Sequence, residues 1–152
     1  MTAIYEKRGI KFLYPENWAL QDEANAELSS AISLEAPGGA AFWSVHLYER
    51  DADADEILTE ATATLAETYE DLETTPSTVD LGEFPGEAVE CMFYCLDFLI
   101  RVRLQVIATP ANQALFWYQA EDRDFEKYEQ VFQAIALSLL QNVAGELSDL
   151  ES

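Results

Sequence analysis

The chain has 152 residues, 49 % of them hydrophobic, with 8 basic against 29 acidic side chains and a formal net charge of -21. That length fits one domain with a sizeable core. So acidic a surface repels phosphate backbones and anionic membranes, so neither nucleic acid nor membrane is expected as a partner; a basic protein patch or a cation would complement it, and the same acidity also simply favours solubility. No window approaches the roughly 20 apolar residues of a spanning helix, and the N-terminus has no apolar run ahead of its charges, so the expected location is cytoplasmic.

Taken in order, Glu6 to Arg8 lead into a first strand in which Ile10, Phe12 and Tyr14 alternate with Lys11 and Leu13. Pro15 stops it, Glu16-Asn17 turn, and Trp18 to Leu20 resume extended structure. Gln21 to Leu28 reads as loop or short helix. Ile32, Leu34 and Ala36 alternate with Ser33 and Glu35; Trp43, Val45 and Leu47 alternate with Phe42, Ser44, His46 and Tyr48. Pro37-Gly38-Gly39 between them predicts a hairpin.

Asp53 to Glu56 has the spacing of a capping box, with Asp53 as N-cap. Behind it Ile57, Leu58, Ala61, Leu65, Tyr69 and Leu72 recur at helical spacing, predicting an amphipathic helix of about five turns over 53–72. Thr74 to Ser77 should end it, and Val79 to Phe84 reads as a short strand. The segment from Gly86 to Ala120 is the most apolar and aromatic part of the chain and predicts three consecutive antiparallel strands, Val89–Cys95, Ile100–Ala108 and Leu115–Gln119. Their short connections permit hairpins and exclude helical crossovers. Phe116, Trp117 and Tyr118 in a row require cover on both faces of the sheet. Finally Phe125, Tyr128, Phe132, Ile135 and Leu139 define a closing helix over 124–140, and residues 141–152 read as an acidic, frayed tail.

Motifs that carry chemistry are few. Asp51, Asp53 and Asp55 resemble the start of a calcium loop, but Glu56 and Thr62 stand where that loop needs Gly and Glu, so no metal site is expected. His46 is the single histidine; it shares a strand face with Ser44 at a spacing of roughly 7 Å, too far for a nucleophile and its base. Cys91 and Cys95 lie about 13 Å apart along one strand at roughly 3.3 Å per residue, too far for a disulfide, and read as reduced thiols. Arg101 and Arg103 share a strand face. They either pair with Glu90 or another carboxylate across the sheet or form an anion site with nearby aromatics. The ligand-binding candidates are therefore Arg101, Arg103, Trp43 and Tyr94, with no catalytic set and no cofactor motif.

The segment Gly9 to Trp18, closing in Tyr14-Pro15-Glu16-Asn17-Trp18, resembles the opening of the PsbP-like superfamily. So does the order of elements from about Tyr5 to Leu140: strand, hairpin, long helix, antiparallel strands with Gly86 at their start, and a closing helix with a Phe–Ile–Leu stripe. That group includes PsbP, the Ran-binding Mog-type proteins, the DcrB-like lipoproteins and the Eag-type chaperones. The resemblance implies an α+β fold, a twisted antiparallel sheet flanked by helices as an α/β/α sandwich. It also implies a non-enzymatic protein-binding role, as a chaperone or assembly factor, with the partner unspecified. The alternative is a small-ligand binder or minor enzyme with an aromatic and arginine pocket.

Overall fold

In a computed structural model, residues 2–7, 10–22, 30–78, 81, 84–110 and 112–151 are described, with side chains omitted at 7, 22, 30–31 and 142–151. The described residues form nine strands and two α-helices: β1 (Thr2–Lys7), β2 (Ile10–Pro15), β3 (Ala19–Asp22), β4 (Ser30–Glu35), β5 (Ala41–Glu49), α1 (Ala54–Thr68), β6 (Glu73–Thr78), β7 (Glu87–Cys95), β8 (Phe98–Ala108), β9 (Asn112–Glu121) and α2 (Asp122–Glu151). Seven strands make one sheet in the order β3-β4-β5-β9-β8-β7-β6, and β1 pairs with β2 as a separate ribbon. Every pairing is antiparallel. The three expected central strands are sequential neighbours, joined by hairpins.

Strand alternation divides the core in two. Val102, Leu104 and Val106 of β8, with Leu115 of β9, meet Ile57, Leu58 and Leu65 of α1 on one face. Phe116 and Tyr118 of β9, with Trp43 and Val45 of β5, meet Phe125, Phe132, Ile135 and Leu139 of α2 on the other, where the ribbon adds Tyr5 and Phe12. The rings interlock: Phe132 stacks on Tyr118 at 5.3 Å, and Phe12 lies 5.2 Å from Trp43. The ribbon is tied to α2 by Leu13 N–H, which donates to Ser138 Oγ at 3.0 Å. This is the expected α/β/α sandwich.

Turn chemistry explains the corners. Gly38 and Gly39 both sit at φ +74° in the β4–β5 connection, a region glycine enters at little cost. At Gly86 the reason is contact. A Cβ there would lie 2.8 Å from Ile107 Cγ1 and 3.0 Å from the Val106 carbonyl oxygen. Gly86→Ala is therefore expected to destabilise the protein by about 1–3 kcal/mol, as overpacking does, with the midpoint of urea unfolding as the readout.

Elements and boundaries differ from the sequence reading in five places. A strand precedes the expected first one, since Thr2–Lys7 pairs along all of β2. The first helix stops at Thr68, not Leu72, because Tyr69 leaves the helical conformation (φ -123°, ψ 103°) and its ring stacks on Phe93 at 3.9 Å. Thr74 to Ser77, expected as a terminator, belongs to edge strand β6. Its β-branched threonines suit a strand, and Pro76 is tolerated at a sheet edge. Of the expected strand at 79–84, Leu81 and Phe84 form one antiparallel bridge, and the rest lies outside the described residues. The closing helix runs to Glu151 through the expected frayed tail. That stretch holds no proline, and its Ala, Leu, Gln and Glu are good helix formers. The expected loop or short helix at 21–28 lies outside the described residues except for Gln21 and Asp22, which end β3. No described helix is long and apolar enough to cross a membrane.

Candidate functional site

The arginine pair sits beneath α2. Register places Glu90 of β7 opposite Arg103 of β8, and Met92 opposite Arg101. Arg103 Nε donates to Glu90 Oε1 at 2.5 Å, and Arg101 Nε donates to Glu90 Oε2 at 3.2 Å, so one carboxylate accepts from both guanidinium groups. Arg103 Nη1 reaches Glu129 Oε1 of α2 at 3.4 Å. Both guanidinium carbons lie over the Phe125 ring, at 4.4 and 5.4 Å from its centre, close enough for cation–π attraction. Arg103 is buried. A buried guanidinium needs such partners, and here they come from the protein itself. The cross-strand reading of Arg101 and Arg103 is the one the geometry shows.

The other two candidates do not join them in a pocket. Trp43 is wholly buried between Phe12 and Phe116, out of reach of any ligand on the surface. Tyr94 is exposed near the far end of β7. Cys91 is a free, buried thiol, and burial followed by the charge of Glu90 pushes it up to about 11, so it is not a nucleophile near neutral pH. Asp53 acts as the expected cap, its Oδ1 accepting from Asp55 N–H at 2.8 Å.

Ser44 and His46 depart from the sequence reading. Ser44 Oγ lies 3.3 Å from His46 Nε2. The roughly 7 Å spacing describes the backbone; an imidazole leaning along the strand closes that gap. A nucleophile also needs donors for the developing oxyanion. Here β5 lies between β4 and β9, so its backbone N–H groups are engaged in the two ladders.

What sequence reasoning passed over is the tip of the β7–β8 hairpin. Leu96 and Asp97 form its two-residue turn at φ +50° and +70°. Such turns favour Asn and Gly at those positions, and a leucine there is strained by roughly 1–2 kcal/mol. Yet Leu96 is 87 % exposed, flanked by Tyr94 at 60 % and Phe98 at 51 %. Phe42, at 39 %, borders the same region. Phe42, Leu96 and Phe98 line an open groove of about 450 Å³ that also includes Ile100 and Gln119, with Glu121 and Asp124 among its acidic residues. The signal in the sequence was a bulky apolar residue at a turn position where turn chemistry calls for Asn or Gly.

No protein-family model matches the chain, and no curated protein matches it in sequence. Solved structures do. The cyanobacterial PsbP of Synechocystis sp. PCC 6803 superposes with a TM-score of 0.65 at 14 % identity, over 90 % of each chain. A Bacteroides thetaiotaomicron protein gives 0.60 at 11 % identity over 87 % of this chain and 46 % of its own. PA94 of Pseudomonas aeruginosa, a protein of unknown function, gives 0.52 at 10 % identity over 91 % and 95 %. The chain has a PsbP-like fold.

Proposed function

We propose that this chain of PsbP-like fold is a non-enzymatic, cytosolic protein-binding module, a chaperone or assembly factor, that engages its partner through the β7–β8 hairpin end. The observation that carries the reading is the exposed, strained Leu96, which lines one groove with Phe98 and Phe42, with the exposed Tyr94 two residues before it. Large apolar side chains gathered at one end of a soluble domain mark contact surfaces, and backbone strain persists at functional segments when the surroundings over-determine it. The free thiols Cys91 and Cys95 support the reducing compartment. The small-ligand alternative rested on Arg101 and Arg103, and both already hold Glu90.

The test separates folding from binding. Leu96→Asn with Asp97→Gly installs the favoured turn pair and removes the apolar tip. This variant should be more stable by about 1 kcal/mol, with a melting temperature a few degrees higher. Immobilised in a native extract, it should lose the proteins that the parent retains. A variant that captures the same proteins at equal yield would remove the hairpin, and the reading with it.

A further inference from the structure

At the opposite end of the sheet, α1 leans over β7 and β8 and leaves β6 uncovered. The space between them is a groove of about 710 Å³. Leu58 and Val89 form its floor; Thr59, Thr62, Thr74 and Thr78 supply hydroxyls along its lips; Asp55 and Glu87 stand at one end. Leu58 is buried and Val89 packs against the same core cluster, so the floor belongs to the folded core and is preformed.

The dimensions fix the size of an occupant. From Asp55 to Ala66 the α1 wall runs twelve residues, about 16 Å at a rise of roughly 1.5 Å per step. An extended segment of about five residues covers that length at roughly 3.3 Å each. The small side chains of Ala63 and Ala66 on the α1 wall admit alanine- to valine-sized groups. Pro76 lacks an N–H on the edge strand, so the occupant lies in the groove and does not extend the sheet ladder.

Charge fixes the chemistry. Among the described residues, no Lys or Arg lines the groove. Asp55 and Asp53 flank Glu87: a side-chain hydrogen bond and the charge of Asp55, then burial and the charge of Asp53, raise the Glu87 carboxyl above its usual range. Like charges crowded at the end of an apolar channel are relieved by an incoming ammonium or guanidinium group. A second copy of this chain, with its net charge of -21, brings the wrong sign.

We infer that the α1–β6 groove binds an extended cationic peptide segment, with small apolar side chains along Leu58 and Val89 and a lysine or arginine over Asp55 and Glu87. This site is separate from the hairpin end and stands whether or not that surface binds protein.

The probe is a fluorescein-labelled hexapeptide of alternating alanine and valine ending in two lysines, followed by anisotropy on the full chain. It should bind, and its twin ending in two glutamates should bind at least ten-fold more weakly. Asp55→Asn with Glu87→Gln preserves side-chain shape and should reduce affinity ten-fold or more. Ala63→Trp, on the exposed lip, should fill the groove and abolish binding of the lysine peptide. Circular dichroism checks that both variants fold. No binding of the lysine peptide, equal binding of the two peptides, or full affinity in either variant overturns the proposal.

Discussion

Replacing Phe132 by alanine is expected to lower the unfolding free energy by about 3–5 kcal/mol, the cost of lost transfer energy plus an unfilled cavity. The side chain is fully buried, stacked on Tyr118 at 5.3 Å and within 6.2 Å of Trp18 and Tyr128, with Phe125 at 5.7 Å. Those neighbours come from β9, from the turn after β2 and from α2 itself, so no single element can collapse into the void. Chemical denaturation with an unchanged slope would report the loss as stability and not as an altered denatured state. A Phe132→Ala protein as stable as its parent would mean that α2 is not docked by its aromatic stripe. By contrast Phe132→Leu keeps most of the volume and should cost less than half as much.

The stripe containing Phe132 was legible in the sequence because helical periodicity survives whatever the helix packs on. The three central strands were legible for a similar reason: β8 alternates Val102, Leu104 and Val106 with Arg101, Arg103 and Gln105, and a one-residue slip would turn the arginines into the opposite core. The alternation did not reveal that the arginine face is also buried. That depends on α2 arriving from 20 to 30 residues away with Glu129 and Phe125 to receive the guanidinium groups. Ends of elements were less legible. Tyr69 leaves α1 to stack on Phe93, a tertiary choice that overrides the continuing apolar spacing to Leu72. β6 is built from threonine, serine and proline, the composition of a loop, and becomes a strand because β7 offers it a ladder. Of the four candidate site residues, each was chosen for side-chain chemistry without knowledge of depth. Depth is what separates Trp43, at the centre of the core, from Tyr94 at the rim.

The second large effect belongs to Arg103. Arg103→Ala is expected to destabilise the fold by about 3–5 kcal/mol, because the buried side chain loses its packing on Phe125 together with its charged hydrogen bonds to Glu90 and Glu129. Glu90 would keep Arg101 at 3.2 Å, Glu129 would lose its guanidinium partner, and Phe125 would keep only one of its two cations. A companion experiment separates the strength of the cluster from the cost of breaking it. Arg103→Met with Glu90→Leu replaces that buried pair with apolar groups of similar size and leaves the less buried Arg101 and Glu129 as the charged members of the cluster. Buried ion pairs replaced in this way are often neutral or better, so the double variant should recover part of what Arg103→Ala loses. Urea midpoints for the two single changes and the pair would give the coupling directly. The same proteins decide the role of the arginines. If the cluster is a structural clamp between β7, β8 and α2, stability falls in Arg103→Ala and inorganic phosphate or acetate raises the melting temperature of neither parent nor variant. If instead Arg103→Ala folds as well as its parent while the parent alone is stabilised by such anions, the guanidinium groups face a ligand and the clamp assignment is wrong. The geometry predicts the first result: Arg103 Nε and Nη1 are already committed to Glu90 and Glu129, and its plane is covered by Phe125.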